Sequence, residues 1–175
     1  MADVPDAIVL KRDRDLEGRQ HDIWVRRGLM SLVAAVPVVA LFNVFGQRPD
    51  SHTLVSPAAS LKIYAPARLR SGLLYEARFH VTARQELKDA YLKLGAGWAE
   101  GVSINTIEPS PMNESSDNGR LSFELGKIPA GESFILFMQF QVNPTNVAFG
   151  RRQTVELDDG KTRLLSFERT VTVFP

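Results

Sequence analysis

The chain contains 175 residues, enough for one ordinary domain with a short addition. Its 21 basic residues nearly balance its 20 acidic residues, and this net charge of +1 argues against a general nucleic-acid-binding protein. Cysteine is absent, which excludes disulfide bonds, thiolate nucleophiles, zinc–thiolate sites and iron–sulfur clusters.

Residues 1–27 form a dense mixture of both charge signs, as in the stretch KRDRDLEGRQHD. Such a mixture buries little apolar surface. We therefore expect a charged tail that is either mobile or folded as a short helix against a membrane or a partner. No motif in this tail carries chemistry.

Residues 28–47 contain no charged side chain and are long enough to cross the hydrocarbon layer of a bilayer as a helix. A cleaved signal peptide would have a shorter apolar region followed closely by small residues at a cleavage site. The core helix of a soluble protein would carry a polar face, whereas this run offers only Ser31 and Asn43. The pattern favours an uncleaved transmembrane helix.

The basic residues near this helix predict its orientation. Residues 8–27 contain Lys11, Arg12, Arg14, Arg19, Arg26 and Arg27, whereas residues 47–66 contain only Arg48 and Lys62. Basic residues accumulate on the cytoplasmic side of membrane helices. We therefore expect a cytoplasmic N-terminus and an extracytoplasmic C-terminal domain. The absence of cysteine from that domain suits a bacterial cytoplasmic membrane.

Small residues recur on one side of the predicted helix. Gly28, Ser31 and Ala35 follow the spacing that lets a second helix approach closely, which makes them candidate partner-binding residues. The alternative is that glycine and alanine are simply common in membrane helices.

Residues 48–60 are rich in Ser, Pro and Ala and are expected to form a stalk. From residue 61 to residue 175 the apolar residues alternate with polar ones, which is typical of half-buried strands. The longest apolar face comprises Phe134, Leu136, Met138, Phe140 and Val142. Further strands are predicted around residues 61–64, 75–82, 90–94, 102–107, 121–125, 155–157 and 163–174. The sequence Asp158-Asp159-Gly160-Lys161 predicts a hairpin turn between the last two. These short strands and frequent turns predict an all-β domain built as a β-sandwich.

The segment from Leu125 to Ser133 reads LGKIPAGES and is followed by a long alternating strand. It resembles the turn-and-strand signature of bacterial immunoglobulin-like repeats found in adhesion-type and cell-envelope proteins. The resemblance implies an immunoglobulin-like β-sandwich whose role is binding or spacing rather than catalysis.

Catalytic and metal-binding patterns are missing from the sequence. The three histidines, His21, His52 and His80, lie far apart, and no nucleophile elbow, P-loop or dinucleotide-binding motif is present. We therefore predict no catalytic residue, no metal site and no cofactor.

Three further residues are candidates for partner binding. Ile135 and Phe137 are apolar on the second face of their strand, which should otherwise be polar, and Trp98 lies between glycines in a predicted loop. The alternatives are that a loop covers Ile135 and Phe137 and that Trp98 closes one end of the core.

The sequence favours a non-enzymatic accessory subunit whose helix and β-domain bind and position an integral membrane protein or complex. The alternative is an extracytoplasmic ligand-binding or sensing domain that signals through the helix to the tail.

Overall fold

The computed structural model describes residues 20–42, 44 and 46–175. The chain divides into two units, Met1–Val44 and Phe45–Pro175. The predicted tail lies mostly outside the described residues, because only its last part, residues 20–27, is included.

The first unit contains one helix, α1, which runs from Gln20 to Leu41. Its 22 residues extend about 33 Å at 1.5 Å per residue, close to the thickness of a bilayer core. Pro37 lies within the helix, and large apolar side chains such as Leu29 and Leu32 are exposed. By length and composition α1 can serve as a membrane span or as a signal sequence. It begins and ends earlier than the predicted span of residues 28–47.

The second unit consists mainly of β-strands. In chain order they are β1 (Pro49–Val55), β2 (Ala59–Pro66), β3 (Arg68–Arg70), β4 (Leu74–Ala83), β5 (Leu87–Leu94), β6 (Val102–Glu108), β7 (Asn113–Asp117), β8 (Arg120–Ile128), β9 (Ser133–Val142), β10 (Ala148–Asp159) and β11 (Thr162–Phe174). A 3₁₀ turn, Ala96–Trp98, lies between β5 and β6.

The strands form two sheets. The five-stranded sheet has the order β1-β2-β4-β9-β6, and the six-stranded sheet has the order β3-β11-β10-β5-β8-β7. Neighbouring strands are antiparallel except β3, which runs parallel to β11. The predicted β-rich class, preceded by one apolar helix, is therefore confirmed.

Both sheets contribute alternate side chains to one hydrophobic core. On β9 the predicted inward face is confirmed, because Leu136, Met138, Phe140 and Val142 are buried and Phe134 packs against them. The predicted hairpin after Asp159 is also present, since Gly160 and Lys161 alone separate β10 from β11. Gly160 has a φ of 59°, as the first residue of a two-residue turn with positive φ requires.

The stalk expected at residues 48–60 is replaced by strand structure. Residues 49–55 form β1, which pairs along its whole length with β2 from Pro49↔Pro66 to Val55↔Ser60. The inward residues of β1 are Asp50, His52 and Leu54, and two of the three are polar. An edge strand with a polar inner face lacks the apolar alternation that marks a strand in sequence.

The chain changes sheets between β2 and β3. Residues up to Pro66 pair in the five-stranded sheet, and Arg68 already pairs with Thr172 of β11 in the six-stranded sheet. The peptide groups around residue 66 therefore lie where strand pairing passes from one sheet to the other. Donors outside the two strand ladders must form hydrogen bonds with their carbonyl oxygens.

Candidate interaction surfaces

One outward row crosses four neighbouring strands of the five-stranded sheet. Tyr64 on β2 pairs with Arg78 on β4, Arg78 pairs with Phe137 on β9, and Phe137 pairs with Glu108 on β6. The guanidinium carbon of Arg78 lies 5.7 Å from the ring centroids of both Tyr64 and Phe137. Arg78 also forms an ion pair of 3.3 Å with Glu76. Cation–π contacts at exposed positions contribute about 0.5–1 kcal/mol each, so the two rings hold this arginine in place.

The adjacent row carries Lys62, His80 and Ile135 in register. Ile135 is 50 % exposed, which is high for an isoleucine in a strand between two neighbours. A shallow hollow of about 240 Å³ lies between the two rows. We call this surface the Ile135 face; it consists of Lys62, Tyr64, Arg78, His80, Ile135 and Phe137.

Ile135 and Phe137 thus lie together on one surface, as the sequence predicted. Among the described residues no loop buries Ile135, so the alternative of a covering loop does not hold for this side chain. Phe137 is half-buried beside Arg78.

Trp98 does not belong to any surface, and its assignment as a partner-binding residue is corrected. It is fully buried, with its ring centroid 5.4 Å from that of Phe79 and 5.9 Å from that of Phe140. Its indole Nε1 donates a hydrogen bond of 3.0 Å to the carbonyl oxygen of Thr154. A buried tryptophan with a satisfied N–H is a core residue.

The glycines beside Trp98 explain why it turns inward. A Cβ atom at Gly95 would collide with the Thr154 side chain, and one at Gly97 would collide with the carbonyl group of Arg152. The 3₁₀ turn therefore lies directly against β10. These glycines allow close packing rather than a projecting loop.

The core contains one buried arginine, which the sequence analysis missed. Arg169 on β11 donates hydrogen bonds to the carbonyl oxygens of Ala65 (2.8 Å) and Pro66 (3.0 Å). It donates two more to Oε1 of Gln153, at 3.0 and 2.8 Å. The guanidinium carbon lies 4.9 Å from the Trp98 ring centroid. Burial lowers the pKa of Arg169 to about 10, and burial raises the pKa of the neighbouring Tyr75 above its usual value.

A sequence signal for Arg169 did exist. Leu165, Phe167, Val171 and Val173 alternate along β11 on the inward side, and Arg169 occupies the one position that interrupts this apolar alternation. Its carbonyl partners lie where the chain changes sheets. Arg169 therefore satisfies the peptide groups that leave the ladder at this point.

The outer face of the six-stranded sheet carries a network of charged groups. Glu156 forms ion pairs with Arg120 (3.1 Å) and Arg163 (3.0 Å), and Asp158 forms one with Lys93 (2.6 Å). A hollow of about 300 Å³ adjoins the network. The two carboxylates are nearly buried and each has a basic partner, so the network joins β5, β8, β10 and β11. Asp159 accepts a hydrogen bond of 2.8 Å from the backbone N–H of Asp89, which joins the end of β10 to β5.

Gly28, Ser31 and Ala35 all lie on α1, and the space beside the Cα of Gly28 is open. Their spacing places them on neighbouring turns of one side of the helix. Their role in partner binding stays a prediction.

The three histidines lie on separate elements: His21 on α1, His52 on β1 and His80 on β4. Within residues 20–42, 44 and 46–175, no three His, Cys, Asp or Glu side chains are grouped so that they could hold a metal ion.

No protein-family profile matches the chain, and no curated protein matches it. Among solved structures it is similar to AvmM, described as catalysing macrocyclization in alchivemycin A biosynthesis, with 8 % identity, a TM-score of 0.46 and coverage of 74 % of this chain and 90 % of that one. A von Willebrand factor type A protein from Catenulispora acidiphila has 20 % identity, a TM-score of 0.36 and coverage of 52 % and 24 %. A GH20 exo-β-N-acetylglucosaminidase from Vibrio harveyi has 12 % identity, a TM-score of 0.32 and coverage of 73 % and 18 %. The chain spans about a quarter or less of the last two proteins. Similarity at this level assigns neither a family nor an activity.

Proposed function

We propose that this chain is a non-enzymatic accessory subunit, anchored in a membrane by α1, whose β-domain binds protein through the Ile135 face. The observation that carries the proposal is the half-exposed Ile135 beside an arginine held between two aromatic rings. Aromatic residues and arginine are enriched in protein interfaces, and apolar groups at the centre of such a patch supply most of the binding energy. The helix and the β-domain together would stabilise or position another membrane protein.

We further propose that the β-domain is an immunoglobulin-like sandwich. In chain order β2, β4, β5, β6, β9, β10 and β11 match strands A to G of a constant-type domain: the first sheet contains β2-β4-β9-β6, equivalent to A-B-E-D, and the second contains β11-β10-β5, equivalent to G-F-C. The β7–β8 hairpin is then an insertion between D and E that extends the second sheet beside C. This order supports the class that the LGKIPAGES segment suggested.

The proposed location is a bacterial cytoplasmic membrane, with the N-terminus in the cytoplasm and the β-domain outside. The apolar composition of α1 supports this orientation, and so does the larger number of basic residues in residues 8–27 than in residues 47–66. Arg26 and Arg27 lie within the helix at its N-terminal side, where long basic side chains can extend toward the lipid headgroups.

The sensing alternative requires a concave pocket that encloses a ligand, and the two hollows described above lie at or below the lower end of the volumes usual for such pockets. The hollows at the Ile135 face and beside the charged network measure about 240 and 300 Å³. Small-molecule sites usually occupy about 300–1,000 Å³ and enclose most of the ligand.

The test is purification of the tagged full-length chain in mild detergent, followed by mass spectrometry of co-purifying proteins. We expect a stoichiometric integral membrane protein with the native chain and a several-fold lower recovery with Ile135→Glu, because a carboxylate at the centre of the face would be desolvated on binding. Met112→Glu is the matched control, since Met112 is also an exposed apolar residue but precedes β7 in the other sheet. Recovery of the chain alone, or equal losses for both variants, would contradict the proposal.

A further inference from the structure

At the level of Phe137, opposite charges flank β9 on the outward side of its sheet; Glu76, the ion-pair partner of Arg78, lies at the level of Gln139, across β9 from the uncharged Thr106. Arg78 on β4 and Glu108 on β6 both pair in register with Phe137, one from each side. Neighbouring strands lie about 4.8 Å apart, so the Cα atoms of Arg78 and Glu108 lie at about equal distances from the line of β9. Both side chains are exposed. The charges of such a surface are complementary to those of a second copy that is rotated by 180° about an axis parallel to β9.

We propose that the molecule seated on the Ile135 face is a second copy of this chain, related to the first by a two-fold axis parallel to β9. Such an axis places each Arg78 opposite Glu108 of the other copy, and it places Ile135 and Phe137 on their own counterparts. An axis running across the strands would instead oppose Arg78 to Arg78, and repulsion between these like charges disfavours that alternative.

The predicted contact covers mainly β4, β9 and β6, because the axis over β9 leaves β1 and β2 beyond the edge of the opposite copy. Of the Ile135 face it therefore includes Arg78, His80, Ile135 and Phe137, whereas Lys62 and Tyr64 on β2 lie at its margin. Three strands present less surface than a standard stable interface, and exposed ion pairs contribute only about 0.2–1 kcal/mol each. The contact is therefore expected to be weak between free domains. It becomes effective when both copies are held in one membrane, because anchoring raises their effective concentration.

This inference rests on the proposed membrane anchoring, and it gives the β-domain and the helix different binding roles. In this arrangement the Ile135 face joins two copies of the chain, and the two α1 helices bind the other membrane protein. Ile135→Glu then lowers the recovery of that protein by separating the two copies. The small residues Gly28, Ser31 and Ala35 would allow the close approach of helices that this arrangement needs.

The test uses the cysteine-free background of the full-length chain in native membranes. Packed sheets lie about 10 Å apart, too far for a disulfide, so a bis-maleimide of similar span is the crosslinker. Gln139→Cys on β9 lies on the proposed axis and should give an adduct of twice the chain mass. Ser51→Cys lies on the same outward side but on β1, three strand spacings from the axis, so its two copies would be about 29 Å apart and should not crosslink. Ser115→Cys on β7 in the other sheet should also stay uncrosslinked.

Charge exchange tests the orientation of the pair. In the Gln139→Cys background, Arg78→Glu alone and Glu108→Arg alone should each lower the crosslinked fraction about five-fold or more, since two ion pairs become two repulsive contacts. The double variant Arg78→Glu/Glu108→Arg should restore it, and this restoration also shows that the single variants fold.

Each result distinguishes the two proposals. An adduct at Gln139→Cys with restoration by the double variant supports the dimer. Equal crosslinking at all three cysteine positions indicates random collision and overturns it. Absence of a self-adduct, combined with recovery of another membrane protein that depends on Ile135, overturns the dimer and leaves the accessory function standing. Absence of both overturns both.

Discussion

At the scale of single residues, the buried Arg169 makes several specific contacts. Its guanidinium meets two carbonyl oxygens, one amide oxygen and one aromatic face, and all its hydrogen-bond acceptors are neutral. A buried charge is costly, and hydrogen bonds of this number, together with the Coulombic attraction of Asp50, offset the cost. The planar fork of arginine suits the two adjacent carbonyl groups, which the single ammonium group of lysine could not bridge in the same way.

We therefore expect Arg169→Lys to lower the free energy of unfolding at pH 7 by about 1–3 kcal/mol, because buried carbonyl groups lose their donors. Burial also lowers the pKa of a lysine at this site below the value of about 10.4 that it has in the unfolded chain. Between those two pKa values the unfolded state binds more protons, so the stability of the variant rises as the pH increases toward about 10. In the native chain the corresponding rise begins only near the Arg169 pKa of about 10.

Urea unfolding of the full-length chain in detergent at several pH values from 7 to 10 measures this difference. Parallel stability profiles for the native chain and Arg169→Lys would contradict it. Arg152→Lys, at a highly exposed position on the neighbouring strand, is the control and should follow the native profile.

Sequence reasoning at this scale placed Ile135 and Phe137 correctly on the outward side of β9 and placed Trp98 wrongly in an exposed loop. The partner-binding role of Ile135 and Phe137 stays a prediction. Alternation along β9 decides which side of the sheet a residue takes, so exposure of Ile135 follows from the period alone. The orientation of Trp98 depends on how closely the 3₁₀ turn approaches β10. That distance depends on two segments that are more than 50 residues apart in the chain, as the Trp98–Thr154 hydrogen bond shows. The local sequence pattern around Trp98 therefore does not predict it.

At the scale of elements, the strands found from sequence are those with one apolar and one polar face. The strands missed are β1, β3 and β7, which lie at the edges of their sheets. All five residues of β7 are exposed, so hydrophobic alternation is absent there. A turn signal did mark this strand: Asn118-Gly119 has φ values of 50° and 77° and closes the β7–β8 hairpin. Asn-Gly between two short segments is a strong hairpin signal even when one strand is entirely polar.

The β10–β11 turn offers a direct test of the backbone requirement at Gly160. A Cβ atom there meets nothing within 4 Å, so any cost of substitution comes from its φ of 59° rather than from a clash. We expect Gly160→Ala to lower the free energy of unfolding by about 1–2 kcal/mol. Gly160→Asn should cost less, since asparagine is also found in hairpin turns whose first central residue has a positive φ. Urea midpoints of the two variants measure the order, and equal midpoints or a reversed order would contradict this account.

At the scale of the whole molecule, the apolar helix and the basic residues before it predict one orientation. In the cysteine-free background, a membrane-impermeant maleimide applied to cells with a permeabilised outer layer should label Ser115→Cys on β7. It should not label His21→Cys at the start of α1 until the membrane is dissolved. Labelling of His21→Cys alone would reverse the orientation, and release of the β-domain from the membrane fraction would indicate cleavage after the helix.

The arrangement of the two sheets is the part of the architecture that sequence pattern left open. Periodicity identifies a buried face but carries no information about which strand lies beside which. Pairings such as β5 with β10, or β4 with β9, join residues that are distant in the chain. They result from the packing of the complete core, and only the structure gives them.

The bond between Arg169 and the carbonyl group of Ala65 has a consequence for biosynthesis. The two residues are 104 positions apart, and a ribosome adds about 5–20 residues per second. The carbonyl group of Ala65, at the corner between β2 and β3, therefore emerges about 5–20 s before Arg169, which donates its hydrogen bond. β3 likewise emerges several seconds before β11, the strand with which it pairs. Folding of this domain is completed only when β11 joins it, so the incomplete domain is exposed to chaperones and proteases while residues 66–169 are added.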